Sequence, residues 1–463
     1  MCMINPNNIL LAQLTGTGGL AMGGGTLQFD WLTLTSQLGS PILTPLWAQI
    51  NILIGFVLAC WLFVPIMYYT NVWNFMTFPI ADSRFFYLNG SVFQLPGNTQ
   101  QGAAVPLPKG NRFEISNNNT HPHFYSTVTF VIGNYLFFAS LAALITHTIF
   151  YYGKDILKHA KTSLQHRQND IHCLLMSKYS EAPQWLYWIV STTGFVSGCF
   201  ICHYGKLMPW EYLYISVPLG ILSLLPTGII NAKTNIFIDL TNVTVLVSGL
   251  LLPGNVAGNY TFSTYTWLIQ NRAMYLLRNL KFAHYMKISP RAIFSIQLII
   301  ALLSSAIRYC ISQYLMDHIE GIYPSDVFGL NSSYSVMLWL ILAGALLPIL
   351  FWVLQRFYRH NKFLSYIHIP IMFTTIGVIY LQTMSNYPSW LLVGFIFHMV
   401  VRKWWWNRYA LLFSIAMDIG IQISLFFIYF IFKYEQNVYF PEWYGTDGGT
   451  CPLSHANYYG KIP

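Results

Sequence analysis

The sequence predicts an all-α, polytopic transmembrane helix bundle. Three observations carry that reading. Of 463 residues, 55% are hydrophobic and 8% charged, and the mean hydropathy is +0.46. A soluble domain carries roughly a quarter charged residues, so lipid must cover much of this surface. The apolar residues gather into eleven segments of near-spanning length, and basic patches punctuate them on alternate sides.

A spanning helix needs about 20 mostly apolar residues. The segments are 48–69, 127–151, 184–203, 211–231, 237–256, 260–278, 292–312, 336–357, 364–383, 388–401 and 408–432. Segment 260–278 is amphipathic and 388–401 is short. The opening stretch 8–28 is apolar but holds Gly16, Gly18, Gly19, Gly23, Gly24 and Gly25. That density disfavours a plain helix and predicts a broken or re-entrant segment.

Cytoplasmic loops carry an excess of Lys and Arg. Loop 152–183 has Lys154, Lys158, Lys161, Arg167 and Lys178. Further basic patches are 278–291, 356–362 and 402–408. Placing all four inside makes the eleven segments alternate and leaves 70–126, 313–335 and the tail 433–463 outside. The outer segments hold the sequons at Asn89, Asn118 and Asn331. The whole of 1–463 is read as one membrane domain, with 70–126 as an extracellular loop. The net charge of +9 is assigned to cytoplasmic loops facing the bilayer, not to nucleic acid.

Seven irregularly spaced cysteines give no disulfide framework. Cys199-Phe200-Ile201-Cys202-His203 spells C-x-x-C-H, the haem-attachment pattern, but it closes an apolar segment with no second cysteine pair. It is read as packing. No H-E-x-x-H, G-x-S-x-G or P-loop lysine occurs, so neither an enzyme nor an ATP-driven pump is expected, and no cofactor.

The string Leu280-Lys281-Phe282-Ala283-His284-Tyr285-Met286-Lys287-Ile288-Ser289-Pro290-Arg291 packs cations around a proline. It resembles the K-I-P-P-R box of the oligopeptide transporter (OPT) family, with Ser289 at the first proline. Other strings follow in the family's order. They are Phe29-Asp30-Trp31, Gly39-Ser40-Pro41, Trp47-Ala48-Gln49-Ile50-Asn51, Pro65, Tyr68-Tyr69-Thr70-Asn71-Val72-Trp73 and Asn169-Asp170-Ile171-His172. Leu252-Pro253-Gly254, Trp404-Trp405-Trp406-Asn407-Arg408-Tyr409, Asp418 and Cys451-Pro452-Leu453 complete the set.

The resemblance implies a multi-pass plasma-membrane carrier that imports small peptides, tetra- and pentapeptides or glutathione-like molecules, together with protons. A related branch carries metal chelates. The chain departs from the family in lacking an N-terminal part, and Asn5-Pro6-Asn7 is not the expected N-P-G motif. Val245 stands where the family has a glutamate, Asn279 where it has an aspartate and Asn255 where it has an arginine. A non-transporting truncated relative acting as an interaction partner, or a metal-chelate carrier, is therefore the alternative.

A site for a peptide needs a group of each sign or the dipoles of broken helices. Proton coupling needs a titratable side chain inside the membrane. Asp30 is read as an ammonium or proton ligand, or as a helix N-cap. Asp418 is the same kind of ligand, or polar glue between helices, whereas Asp239 starts a segment and reads as a cap. Lys287 and Arg291 are a cytoplasmic gate or carboxylate ligands, or topology residues at the headgroups. His284 is a proton relay or an interfacial histidine. Asn51 and Asn71, with Gln49 and Asn242, offer donors and acceptors to a peptide backbone, or bond helices together.

Overall fold

The computed structural model describes residues 5, 7–16, 18–22, 27, 29–92, 125–162, 171–180, 182–238, 241–252, 255–316, 339–357, 367–377, 384, 386–401, 406–428 and 452–462. The sequons at Asn118 and Asn331, Asp239, Pro253-Gly254, Cys451 and the basic positions 359–362 and 402–403 lie outside them.

The glycine-rich opening is broken, as its composition requires. Helix α1, Ile9–Thr15, is capped by Asn8, whose Oδ1 accepts from Leu11 N at 3.2 Å, and it stops at Gly16. Helix α2, Trp31–Leu38, is capped by Asp30 and ends at Gly39, whose φ of +74° suits glycine. Helix α3, Leu46–Tyr69, begins after Pro45 and widens into a π-helical stretch at Val57–Phe63. A left-handed turn at Asn71, Trp73 and Asn74 ends it. A two-residue hairpin follows, with Phe85–Phe86 antiparallel to Tyr125–Ser126.

Helix α4, Val128–Lys158, is the hub. Its most apolar window is 83% buried, against 0% for the corresponding window of Pro290–Ile307. A helix apolar on every side belongs inside a bundle. After it come α5 (Ile171–Met176), α6 (Gln184–Tyr204), α7 (Trp210–Thr234), α8 (Thr241–Leu251), α9 (Val256–Met286) and α10 (Pro290–Met316). The remainder are α11 (Trp339–Phe357), α12 (Ile369–Gly377), α13 (Asn386–Met399) and α14 (Trp406–Ile428). Helices α11, α12, α8 and α7 pack on α4, while α3 packs on α12 and α13.

Six helices of the described residues are long and apolar enough to cross a membrane. Among the described residues, segments 237–256 and 364–383 hold the helices Thr241–Leu251 and Ile369–Gly377. Segment 260–278 is longer than its hydropathy showed, because its helix runs 31 residues to the basic turn. The basic loop 152–183 opens as helix, since helical backbone continues beyond α4 to Thr162.

Small residues set the tightest approaches, as expected where lipid supplies no hydrophobic drive. A Cβ on Gly344 of α11 would strike the Ala139 backbone, and one on Gly55 of α3 would lie 2.5 Å from Met372 O of α12. The main core centres on Trp390, Tyr68, Tyr135 and Phe56, and Phe56 stacks on Tyr387 with ring centroids 4.9 Å apart. Outer faces of α6, α10 and α14 are apolar and exposed, as at Trp188, Leu302 and Leu412.

The tail 452–462 returns to the other end of the chain. Tyr458 N donates to Met76 O at 3.2 Å, and Asn457 Nδ2 to Thr77 O at 3.1 Å. Gln13 Nε2 donates to Ala456 O at 3.1 Å.

Candidate functional site

The polar residues of α3 are buried and committed. Gln49 donates through Nε2 to Pro41 O at 2.7 Å and Thr44 O at 3.0 Å, closing the turn before the helix. His398 of α13 joins the same turn, its Nε2 lying 2.7 Å from Thr44 O. Two residues on, Asn51 is 3% exposed. Its Nδ2 donates to Trp47 O at 2.7 Å, and its Oδ1 accepts the backbone N–H of His368 at 2.8 Å. Asn51 thus holds the non-helical residues 367–368 just before α12.

That bond brings in a cluster absent from the sequence reading. The His368 ring sits 4.0 Å, centroid to centroid, from the His147 ring of α4. Tyr151 stacks on His147 at 4.1 Å, and Trp47 lies 5.7 Å from His368. Lys233, in the last turn of α7, places Nζ 4.0 Å from the centroid of the Tyr152 ring. His147 Nε2, His368 Nδ1 and Thr148 Oγ1 are buried without hydrogen-bond partners among the described residues. A signal for two of them was present, since His147 and His368 fall inside predicted segments 127–151 and 364–383. An ionisable residue inside a span is a functional candidate by default. Lys233 lies just past a segment end and reads from sequence as one more boundary cation.

The other predicted residues fall into separate places. Asp30 caps α2, accepting from Thr33 N at 3.1 Å and Thr33 Oγ1 at 2.7 Å. Asp418 Oδ1 accepts from Trp31 Nε1 at 2.6 Å, fastening α14 to α2. The two aspartates are therefore brought to one junction, on either side of Trp31. Lys287 is the left-handed residue that ends α9, at φ +60°, and its Nζ lies 3.4 Å from His284 O. Arg291 opens α10 after Pro290, so His284, Lys287 and Arg291 form one basic turn. Asn71 closes the turn after α3, accepting from Met76 N at 3.1 Å. Asn242 Nδ2 donates to Asn134 Oδ1 at 3.3 Å, joining α8 to α4.

A second polar patch lies where the tail meets α1. Gln13 is fully buried, donates to Tyr68 OH at 3.2 Å and accepts from Tyr69 OH at 3.3 Å. Beside it an open recess of about 510 Å³ is lined by Asn5, Asn7, Asn8, Gln13 and Tyr458.

The model of the OPT oligopeptide transporter protein family matches residues 1–432. The chain belongs to this family. It is a multi-pass membrane protein, and its family consists of transporters rather than enzymes. Curated relatives include three proteins of Arabidopsis thaliana. Oligopeptide transporter 7 is 29% identical over 98% of this chain and 62% of its own length. Oligopeptide transporter 1 is 30% identical over 96% and 63%, and oligopeptide transporter 2 is 29% identical over 98% and 65%. The chain therefore spans just under two thirds of the length of these OPT relatives. No solved structure matches it.

Proposed function

We propose that this chain works as a proton-coupled carrier of small oligopeptides, tetra- or pentapeptides or glutathione-like molecules, at the plasma membrane. The observation that supports it most is the buried Asn51 amide engaged with the non-helical residues before α12, beside two imidazoles and a lysine. Carrier sites lie where helices break inside a bundle, because freed backbone groups and helix ends serve as ligands there. Asn51 offers a donor and an acceptor to a peptide backbone once its present bonds open. Asp418 and Asp30 take the ammonium or the proton at the α2–α14 junction. His284, Lys287 and Arg291 gate the cytoplasmic side, and Asn71 shapes the outer mouth. Coupling requires proton and peptide to favour the same conformational state.

The test is uptake of a labelled tetrapeptide by cells expressing this chain, in mildly acidic and in neutral medium. Uptake higher in the acidic medium is expected. No uptake, with the protein verified at the surface, would replace this reading with that of a non-transporting relative.

A further inference from the structure

We propose that His147 and His368 together form a proton-binding site, in which the pair takes up a single proton and Lys233 regulates its occupancy. This deepens the proton-coupled reading above by naming a site that the sequence pattern did not. The rings come from different elements, α4 and the residues before α12, and their centroids are 4.0 Å apart at an interplanar angle of 54°. His147 is 3% exposed and His368 8%. Each carries a buried ring nitrogen without a partner among the described residues, Nε2 on His147 and Nδ1 on His368. A neutral imidazole has one donor and one acceptor nitrogen. Two charged imidazoles with centroids 4.0 Å apart would repel each other, so the pair takes up one proton, not two. A proton also needs no cavity, which suits a site this closed.

The surroundings set the conditions for occupancy. On α4 itself the neighbouring titratable groups are Tyr151 and Tyr152, with Lys154, Asp155 and Lys158 beyond. Helix α7 contributes Lys233, over the Tyr152 ring, and carries Glu211 at its other end. Helix α11 contributes only Arg356, whose guanidinium lies against Trp352. Helices α3, α8 and α12 carry no Asp, Glu, Lys, Arg or His within their bounds. Helix α13, packed on α3, contributes His398, engaged with Thr44 O. No carboxylate from these elements touches the pair among the described residues, so a bound proton stands against the Lys233 charge. A like charge disfavours the second positive group. Protonation therefore favours a state in which the Lys233 end of α7 has moved off, or in which an anionic group has come between. Either links the proton to a conformational step.

The experiment uses the full chain, labelled with ¹⁵N-histidine and purified in detergent, with the imidazole signals titrated between pH 4 and 8. The comparison is with His147→Gln, His368→Gln and Lys233→Met. The expected result is that either histidine variant removes or shifts the titration of both rings. Lys233→Met should raise the midpoint. Loss of one signal with the other unmoved would overturn the proposal, as would a midpoint unmoved or lowered in Lys233→Met. This readout is independent of transport, so failure of tetrapeptide uptake counts against the carrier reading alone. Where uptake is measurable, both histidine variants should lose its acid stimulation. Intact acid stimulation in both would also overturn the proposal.

Discussion

Asn51 uses both ends of its amide, one on its own helix and one on the chain entering α12. Asn51→Leu leaves the His368 N–H buried without an acceptor, which costs about 1–3 kcal/mol. A lowered melting temperature and a loss of uptake are expected together, read by thermal denaturation and by peptide transport. Asp418 allows a cleaner separation. Asp418→Asn keeps a carbonyl for Trp31 Nε1, whereas Asp418→Leu removes the acceptor. Melting should therefore be unchanged in the first and lowered by about 0.5–1.5 kcal/mol of stability in the second. Uptake that falls in Asp418→Asn at unchanged stability would assign the carboxylate to transport. At this scale the sequence showed which polar residues lay in spans, as for Asn51. Their partners it could not show. His147 and His368 stand 221 positions apart, and only the packing of α12 on α4 makes them neighbours.

Helices here were legible where composition alone decides them. The predicted segments 48–69 and 184–203 agree with Leu46–Tyr69 and Gln184–Tyr204 to within two residues at each end. Hydropathy was a poorer guide where a helix is amphipathic or outlives its apolar part. Val256–Met286 and the extension of α4 past residue 151 are such cases, since backbone hydrogen bonding continues after the side chains turn polar. Close approach was not legible either, because a glycine in an apolar run has the same hydropathy wherever it faces. Gly55→Val tests the contact between α3 and α12. Two methyls would be driven onto Met372 O, an overpacking cost of about 1–3 kcal/mol or more. The expected outcome is a broadened or aggregated peak in size-exclusion chromatography, while the control Gly420→Val, with open space at its Cβ, elutes normally.

For the whole molecule, the class was set by the shortage of charge and the alternation of basic patches, and the family model agrees with it. Sidedness rests on the proposal that 70–126 lies outside. Asn89 lies in an exposed turn there, with Ser91 N and Oγ donating to its Oδ1. Expression in a glycosylating cell should give a gel mobility shift that Asn89→Gln reduces. The bonds of Met76 and Thr77 to the tail add a constraint of a different kind. Residues hydrogen-bonded to each other share one side of the bilayer, so the chain between 77 and 457 crosses it an even number of times. Five of the long apolar helices lie in that interval, Val128–Lys158, Gln184–Tyr204, Trp210–Thr234, Pro290–Ile307 and Tyr409–Ile428. Five is odd. With all five crossing, an odd number of the remaining segments, at least one, must cross as well, so crossings in this interval can be gained or lost only in pairs.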